Sequence, residues 1–315
     1  MAKAANRNKN KNKPAPKRHS GGKPAVNRSS PQVNRSSPQG NRSAERNSER
    51  NSERNSERSS QSSESQPRPQ FDGPLRSTFK RGFFLYGRNS VQAALKNETR
   101  ECSRLIGTKK ALDNAHDLLK IRPDLKVEVT SAETLDATIG TDSPHQGLLL
   151  DVLHLPTLHL SSFKPYAGKN IILVLDQVTD PHNVGACIRS AAALGARGIV
   201  TQDRNSPYES GVLARASSGG IESCPWVRVT NLAQALDELK EMGYWSVGLD
   251  GATNMSIKDV SAGDNIAIVM GSEGSGLRPL VRKHCDLVAK IPMSGKVESL
   301  NVSNAAAIAM YELGG

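Results

Sequence analysis

Three blocks in the second half of the chain constrain its fold more than anything before them. They read LDQVTDPHNVGACIR at 175–189, VMGSEGSGL at 269–277 and IPMSGKVESLNVS at 291–303. Each follows or contains an apolar, strand-like run and then turns polar and glycine-rich, as loops at the carboxyl ends of parallel strands do. Open α/β sheets bind ligands at those ends. Three such loops in one domain therefore predict one composite pocket.

The pattern around the blocks supports this. Residues 171–175 and 198–201 read as buried strands, and the helix between them carries Val184, Ile188, Ala191 and Leu194 at helical spacing. An amphipathic helix over 232–242 leads to a strand at 245–249, with further strands at 266–270 and 288–291. A helix over 304–313 closes the chain, and Ser303 is the candidate for its cap. Alternating strands and helices predict an α/β fold with a parallel sheet covered on both faces.

Upstream lies a smaller α/β unit. Residues 83–86 read as a strand, Gly87 as a turn and Ser90 as N-cap of a helix over 91–96. Short strands at 104–107 and 126–129 flank a helix over 112–119, and a turn at 142–147 enters a strand at 148–152. The expected division is a tail over 1–80, a small domain over 81–153, a linker over 154–168 containing Pro156 and Pro165, and the main domain over 169–315.

Charge separates these regions. The chain carries a net +11, yet residues 1–81 hold 19 Lys and Arg against 6 Asp and Glu, leaving 23 against 25 for the rest. The first stretch repeats NRSSPQ at 27–32 and 34–39, then NSER three times over 47–58. It has almost no apolar side chains whose burial could offset the entropy of ordering, so disorder is expected over 1–80. A basic arm of this kind can bind nucleic acid through counterion release, or serve as a solubility extension.

No apolar run is long enough for a membrane span and no secretory h-region is present, so a cytoplasmic protein is expected. Cys102, Cys187, Cys224 and Cys285 are scattered and read as small hydrophobes in a reducing compartment. No His/Cys cluster suggests a metal.

The glycine-rich loops are neither a dinucleotide nor a phosphate-loop motif. No GxGxxG follows the first strand of the main domain, and GxxxxGK[ST] is absent. Instead DPHNVGACIRSAAALG, IVMGSEGSGL and IPMSGKVESLNVSNAAAIA resemble, in order and spacing, the three signature motifs of the SpoU/TrmH branch of the SPOUT RNA methyltransferases. LYGRNSVQAAL at 85–95 and HQG at 145–147 resemble the L30e-like substrate-binding domain attached to many of these enzymes. Arg88-Asn89 stands where Gly-x-His is common, so no RNA contact is carried over there. ASSGGIESCP at 216–225 and RVTNL at 228–232 are most similar to the 23S ribosomal RNA guanosine 2′-O-methyltransferases.

The resemblance implies a SPOUT domain with a trefoil knot, a dimeric active site, and S-adenosylmethionine as methyl donor to a ribose 2′-hydroxyl of RNA. Small residues at Gly295, Ser299, Ser303 and 305–307 are compatible with the close backbone passage of a knot. By motif position Arg189 stands beside the reacting oxygen. An always-protonated guanidinium is better suited to holding phosphate and developing alkoxide charge than to acting as a base. The alternative is an ordinary surface arginine. Asn183 can orient it or a substrate group, and Glu273 would hold Asn183 and Arg189, the alternative being a solvated loop acid. Ser299 and Asn301 match the third motif's polar pair near the ribose, with helix capping as the alternative. Cofactor contacts map to Gly271, Ile291 and Leu300, with the loop after Leu249 as a further contributor. His182, directly after Pro181, is more simply a turn residue than a base.

The expected function is methylation of a guanosine ribose in 23S ribosomal RNA by a cytoplasmic homodimer. Alternatives are a transfer RNA ribose methyltransferase and a catalytically silent RNA-binding or ribosome-assembly factor, the latter opposed by the intact motif set. A small-molecule methyltransferase is disfavoured by the RNA-type domain and the basic arm.

Overall fold

The computed structural model describes residues 73–314. Most of the tail expected to be disordered falls outside these residues. Its expected limit at residue 80 moves: Ser77 Oγ donates to Asp151 at 2.5 Å and Thr78 N–H at 2.8 Å, while Leu75 N–H donates to Thr138 Oγ1 at 2.9 Å. Asp151 lies fully buried in a strand, where an unsatisfied carboxylate would be costly. These donors, with Arg104 Nε at 3.3 Å, are what make its burial tolerable.

The first sheet runs in the order β1-β4-β2-β3, formed by β1 (Phe83–Tyr86), β2 (Cys102–Gly107), β3 (Lys126–Val129) and β4 (Leu148–Val152). Strand β4 is antiparallel to both neighbours and β3 is parallel to β2. Helices α1 (Arg88–Lys96), α2 (Lys109–Asp113), α3 (His116–Leu119) and α4 (Ala132–Ile139) connect the strands. Two expectations are corrected here. The first helix starts at Arg88, and Ser90 is buried inside it, its hydroxyl donating to Ala214 O at 3.0 Å instead of capping. The single helix expected over 112–119 is two short ones, the first capped by Thr108, whose hydroxyl accepts from Ala111 N–H.

The second sheet is six-stranded and wholly parallel, in the order β10-β8-β9-β5-β6-β7. Its strands are β5 (Asn170–Leu175), β6 (Gly198–Gln202), β7 (Trp226–Val229), β8 (Trp245–Leu249), β9 (Asn265–Met270) and β10 (Leu287–Ala289). The helices are α5 (Pro181–Ala193), α6 (Gly211–Ala216), α7 (Leu232–Glu241), α8 (Pro279–His284) and α9 (Val302–Gly314). Strand β5 is buried at every position, and its side chains alternate between two cores. Ile171, Leu173 and Leu175 join Val184, Ile188 and Ala191 of α5 with Ala306 and Ala309 of α9. Ile172 and Val174 join Leu232, Leu236 and Leu239 of α7 with Val281 of α8. A continuous apolar run is what a strand covered on both faces requires. Each such side chain contributes about 1.5–3 kcal/mol on burial.

Among the strands and α-helices of the main domain, three had escaped the sequence reading: α6, β7 and α8. The first two lack periodicity, whereas α8 carried a signal in Pro279 at its first turn. Gly185 explains how α6 docks. A Cβ there would meet Leu213 O at 2.5 Å and the Ala216 Cβ at 2.6 Å, so α5 and α6 cross in contact. Leu194, expected on the apolar face of α5, instead ends that helix and is 42 % exposed. The connecting stretch 154–168 is anchored: Phe163 is buried and its carbonyl accepts from Tyr244 Oη at 2.7 Å.

All four cysteines are free thiols, and burial pushes those of Cys187, Cys224 and Cys285 up to about 12. At pH 8 the thiolate fraction is then about one part in 10⁴, and the thiolate is the reactive form. A thiolate-selective disulfide reagent should leave these three untouched in the folded protein while labelling them in urea. Rapid labelling of any of them in the native state would contradict this packing.

Candidate active site

The strand order places the site. From β5 the chain moves outward through β6 to β7, then crosses to β8 and returns to β9 beside β5. The crevice at the carboxyl ends of β5 and β9 is therefore a topological switch point, where open α/β sheets bind ligands. The first block leaves β5 there and the second leaves β9. The third, following β10, ends at the start of α9.

Helix α5 begins with Asp180 as N-cap, accepting from His182 N–H at 3.1 Å, and Pro181 in its first turn. Asn183 is thereby held at the helix start, over the crevice. Its Nδ2 donates to Glu273 Oε1 at 3.1 Å, and its Oδ1 accepts from Asn301 Nδ2 at 2.9 Å. Asn301 Nδ2 also lies 2.8 Å from the same Glu273 oxygen. One residue from each block thus meets in a closed triangle. The N–H of Val302, first residue of α9, donates to Glu273 Oε1 at 3.3 Å, so the carboxylate also sits where the helix dipole favours negative charge.

Asn301 has a second task. Its Oδ1 accepts from Ser303 N–H at 2.9 Å and Ser303 Oγ at 2.5 Å, making Asn301 the cap of α9. The cap expected of Ser303 is corrected accordingly: α9 starts at Val302, two residues earlier than that assignment needs. Of the two roles weighed for Asn301, capping is the one seen directly, while its amide nitrogen joins Asn183 and Glu273.

The loop bearing Glu273 is stiffened from within. A Cβ on Gly271 would lie 2.1–2.4 Å from the backbone of Gly276 and Leu277. The space its missing side chain leaves is therefore occupied by the loop's own return strand, tied by Gly276 N–H to Ser272 O at 3.0 Å. Beyond it, Arg278 donates from its N–H (2.9 Å) and Nε (2.7 Å) to Asp176, which is buried at the end of β5. Asp176 was not singled out from sequence. The signal was a carboxylate directly following a buried apolar strand.

Beside the triangle a cleft of about 430 Å³ opens across the ends of β8, β9 and β10. Gly271, Ile291 and Leu300 line it, as do Ser299, Glu273 and the loop after Leu249. Asp250 in that loop accepts from Ala252 N–H and from Arg282, which hold its carboxyl below the usual range. The volume falls in the range of small-molecule sites, and Leu249, Ile291 and Leu300 offer apolar walls for a flat ring. Glu273 and Glu298 at the rim suit a cationic centre.

Arg189 is not part of this cluster. It is exposed and makes no hydrogen bond or ion pair with any described residue. Six residues after Asn183, it lies about 120° round the helix and about 9 Å along it. His182 is likewise exposed at the helix start.

Comparison with known proteins gives consistent matches. Residues 170–311 match the SpoU rRNA Methylase family, and residues 84–156 match the RNA 2′-O ribose methyltransferase substrate binding family. YacO of Bacillus subtilis, assigned to the TrmH family of tRNA/rRNA methyltransferases, is 34 % identical over 236 residues, covering 73 % of this chain and 94 % of YacO. The 23S rRNA (guanosine-2′-O-)-methyltransferase RlmB of Pseudomonas putida is 34 % identical over 237 residues, covering 72 % of this chain and 94 % of RlmB. Among solved structures, the SpoU methyltransferase AviRb from Streptomyces viridochromogenes, in complex with AdoMet, superposes with a TM-score of 0.65. That match is at 24 % identity and covers 74 % of this chain and 89 % of AviRb, a likeness of fold.

Proposed function

The chain belongs to the SpoU/TrmH family of RNA 2′-O-methyltransferases, and from that premise we propose that it methylates the 2′-hydroxyl of a guanosine in 23S ribosomal RNA. The observation that carries the reading is the meeting of Asn183, Glu273 and Asn301 at the switch point, beside a cleft lined by Gly271, Ile291 and Leu300. S-adenosylmethionine, held in that cleft, supplies an electrophilic methyl on a sulfonium. The protein's task is to align a ribose hydroxyl with it and stabilise the charge as the proton leaves.

Ile291 and Leu300 frame the adenine, and Gly271 keeps the loop backbone tight against the cleft. Glu273 holds the Asn183 and Asn301 amides in fixed orientation, and with Ser299 these border the ribose. Arg189, with no donor committed to a described residue, takes the substrate phosphate and the developing alkoxide. Its distance from the triangle within one chain favours a site completed by two copies, Arg189 of one protomer serving the cleft of its partner. Exposed Ile308 and Tyr311 on α9 and Leu194 at the end of α5 are apolar surface such a dimer would cover. The trefoil knot, the L30e-like character of residues 81–153, the linker over 154–168 and the disordered basic tail complete this reading, as does a cytoplasmic location. Among the described residues no helix is long and apolar enough to cross a membrane.

The deciding experiment is transfer of labelled methyl from S-adenosylmethionine to separated ribosomal and transfer RNA lacking the modification, followed by nucleoside analysis. Label in 2′-O-methylguanosine of the large ribosomal RNA is expected. Label confined to transfer RNA would move the substrate and keep the chemistry. No label in either, nor in assembling ribosomal particles, would overturn the assignment.

A further inference from the structure

A second cavity, of about 690 Å³, lies at the opposite edge of the large sheet and takes no part in the site described above. Trp226 and Arg228 project into it from one face of the edge strand β7, and Tyr208 stands at its mouth, 70 % exposed. These groups form a column. The Arg228 guanidinium carbon lies 4.3 Å from the Tyr208 ring centroid and 5.3 Å from that of Trp226. Arg228 is pinned in plane, donating to Pro207 O at 2.6 Å and Asp203 O at 2.9 Å. Trp226 Nε1 donates to Thr201 Oγ1 at 2.8 Å. An exposed tyrosine is thus backed by a fixed, flat support, which lowers the ordering cost of stacking something on its open face.

The charges say what that something is. The arginines at the cavity are committed, Arg228 to Asp203 and the backbone, and Arg100 behind the wall to Glu209 and Glu222. With no cation to spare among the described residues, the cavity is poorly suited to a phosphate. Its offer is an aromatic platform and, in Asp203, a carboxylate that pairs with Arg228 at 3.4 Å and accepts from Thr230 Oγ1 at 3.4 Å yet stays about half exposed at its side chain. That combination suits an unpaired base that stacks and presents N–H donors, as guanine does along its N1–H and 2-amino edge. Stacking also supplies affinity that does not depend on positive charge, which residues 82–315, with 23 basic against 25 acidic side chains, lack in total.

We propose that this cavity is a second RNA contact, in which an unpaired guanine of the substrate, distinct from the methylated nucleotide, stacks on Tyr208. The proposal rests on the RNA-methyltransferase reading, but its test does not use methyl transfer. The chain has two tryptophans, so Trp245→Phe leaves Trp226 as the only tryptophan reporter. In that background the heptanucleotide UUUGUUU should quench Trp226 fluorescence, and UUUUUUU should need about tenfold more to do so. Tyr208→Ala should weaken UUUGUUU binding about tenfold, the size expected for one base–aromatic stack. Tyr208→Phe should retain it. S-adenosylmethionine affinity and thermal midpoint should be unchanged in both variants. Equal binding in Tyr208→Ala, or no quenching by either oligomer, would overturn the proposal. Guanosine monophosphate binding as tightly as the heptamer would reassign the cavity to a free nucleotide and overturn the RNA contact. A wild-type protein that transfers no methyl yet shows the guanine-dependent quenching would sink the enzymatic reading and leave the cavity assignment standing.

Discussion

Arg189→Ala is expected to lower kcat for methyl transfer about 10²–10³-fold, the loss typical for removing one donor aimed at developing negative charge. S-adenosylmethionine affinity should survive, because Arg189 does not line the cleft. The size of the effect follows from the environment. An arginine committed to a salt bridge would lose part of its strength to its partner, whereas Arg189 has no partner among the described residues and keeps all five donors for substrate. Arg189→Lys should recover only part of the rate, since an ammonium keeps the charge and loses the planar fork that grips phosphate in two places. Near-normal turnover in Arg189→Ala would remove this residue from the mechanism.

The second large effect is on stability. Arg100 is 1 % exposed, and its guanidinium lies 2.6 Å from both Glu209 and Glu222 while donating to Leu153 O at 2.7 Å. Burial works to lower its pKa, but the paired carboxylates outweigh that and hold it above the ordinary arginine value. Arg100→Met would leave two nearly buried carboxylates facing each other without a cation. Breaking a buried ion pair from one side costs about 3–5 kcal/mol. In a domain of this size that corresponds to a fall in Tm of about 6–20 °C. Adding Glu209→Gln and Glu222→Gln to Arg100→Met should restore much of the loss, because no uncompensated charge then remains. A calorimetric midpoint within about 2 °C of the wild type for Arg100→Met alone would show that this network contributes little.

Legibility in the sequence followed the range of the interaction. The alternating cores around β5 were readable because burial on both faces demands an unbroken apolar run, and 171–175 is one. Asn183, Glu273 and Asn301 were named only through the resemblance of their blocks to the SpoU/TrmH motifs; the pattern itself gave the blocks, each placed directly after a strand or before a helix. Chain pattern alone puts such loops on one edge of a parallel sheet. Ser90 and Ser303 were misread as caps by local rules that hold on average. One hydroxyl had been claimed by Ala214 on another helix, and the other serine lost its place to Asn301, two residues earlier.

What the residue order determined by itself was the α/β class and the three loops that converge, both of which rest on periodicity or adjacency acting over a few residues; the groups those loops bring were named through the resemblance of the blocks to the SpoU/TrmH motifs. Tertiary structure decided the rest. It made one oxygen of Glu273 the acceptor for three donors, and it spent the space at Gly271 on the loop's own closure. It joined Arg100 to Glu222 across 122 positions and set Tyr208, Arg228 and Trp226 in a stack. Charge pairing, close approach and ring stacking depend on distance in space, and only the folded chain sets that.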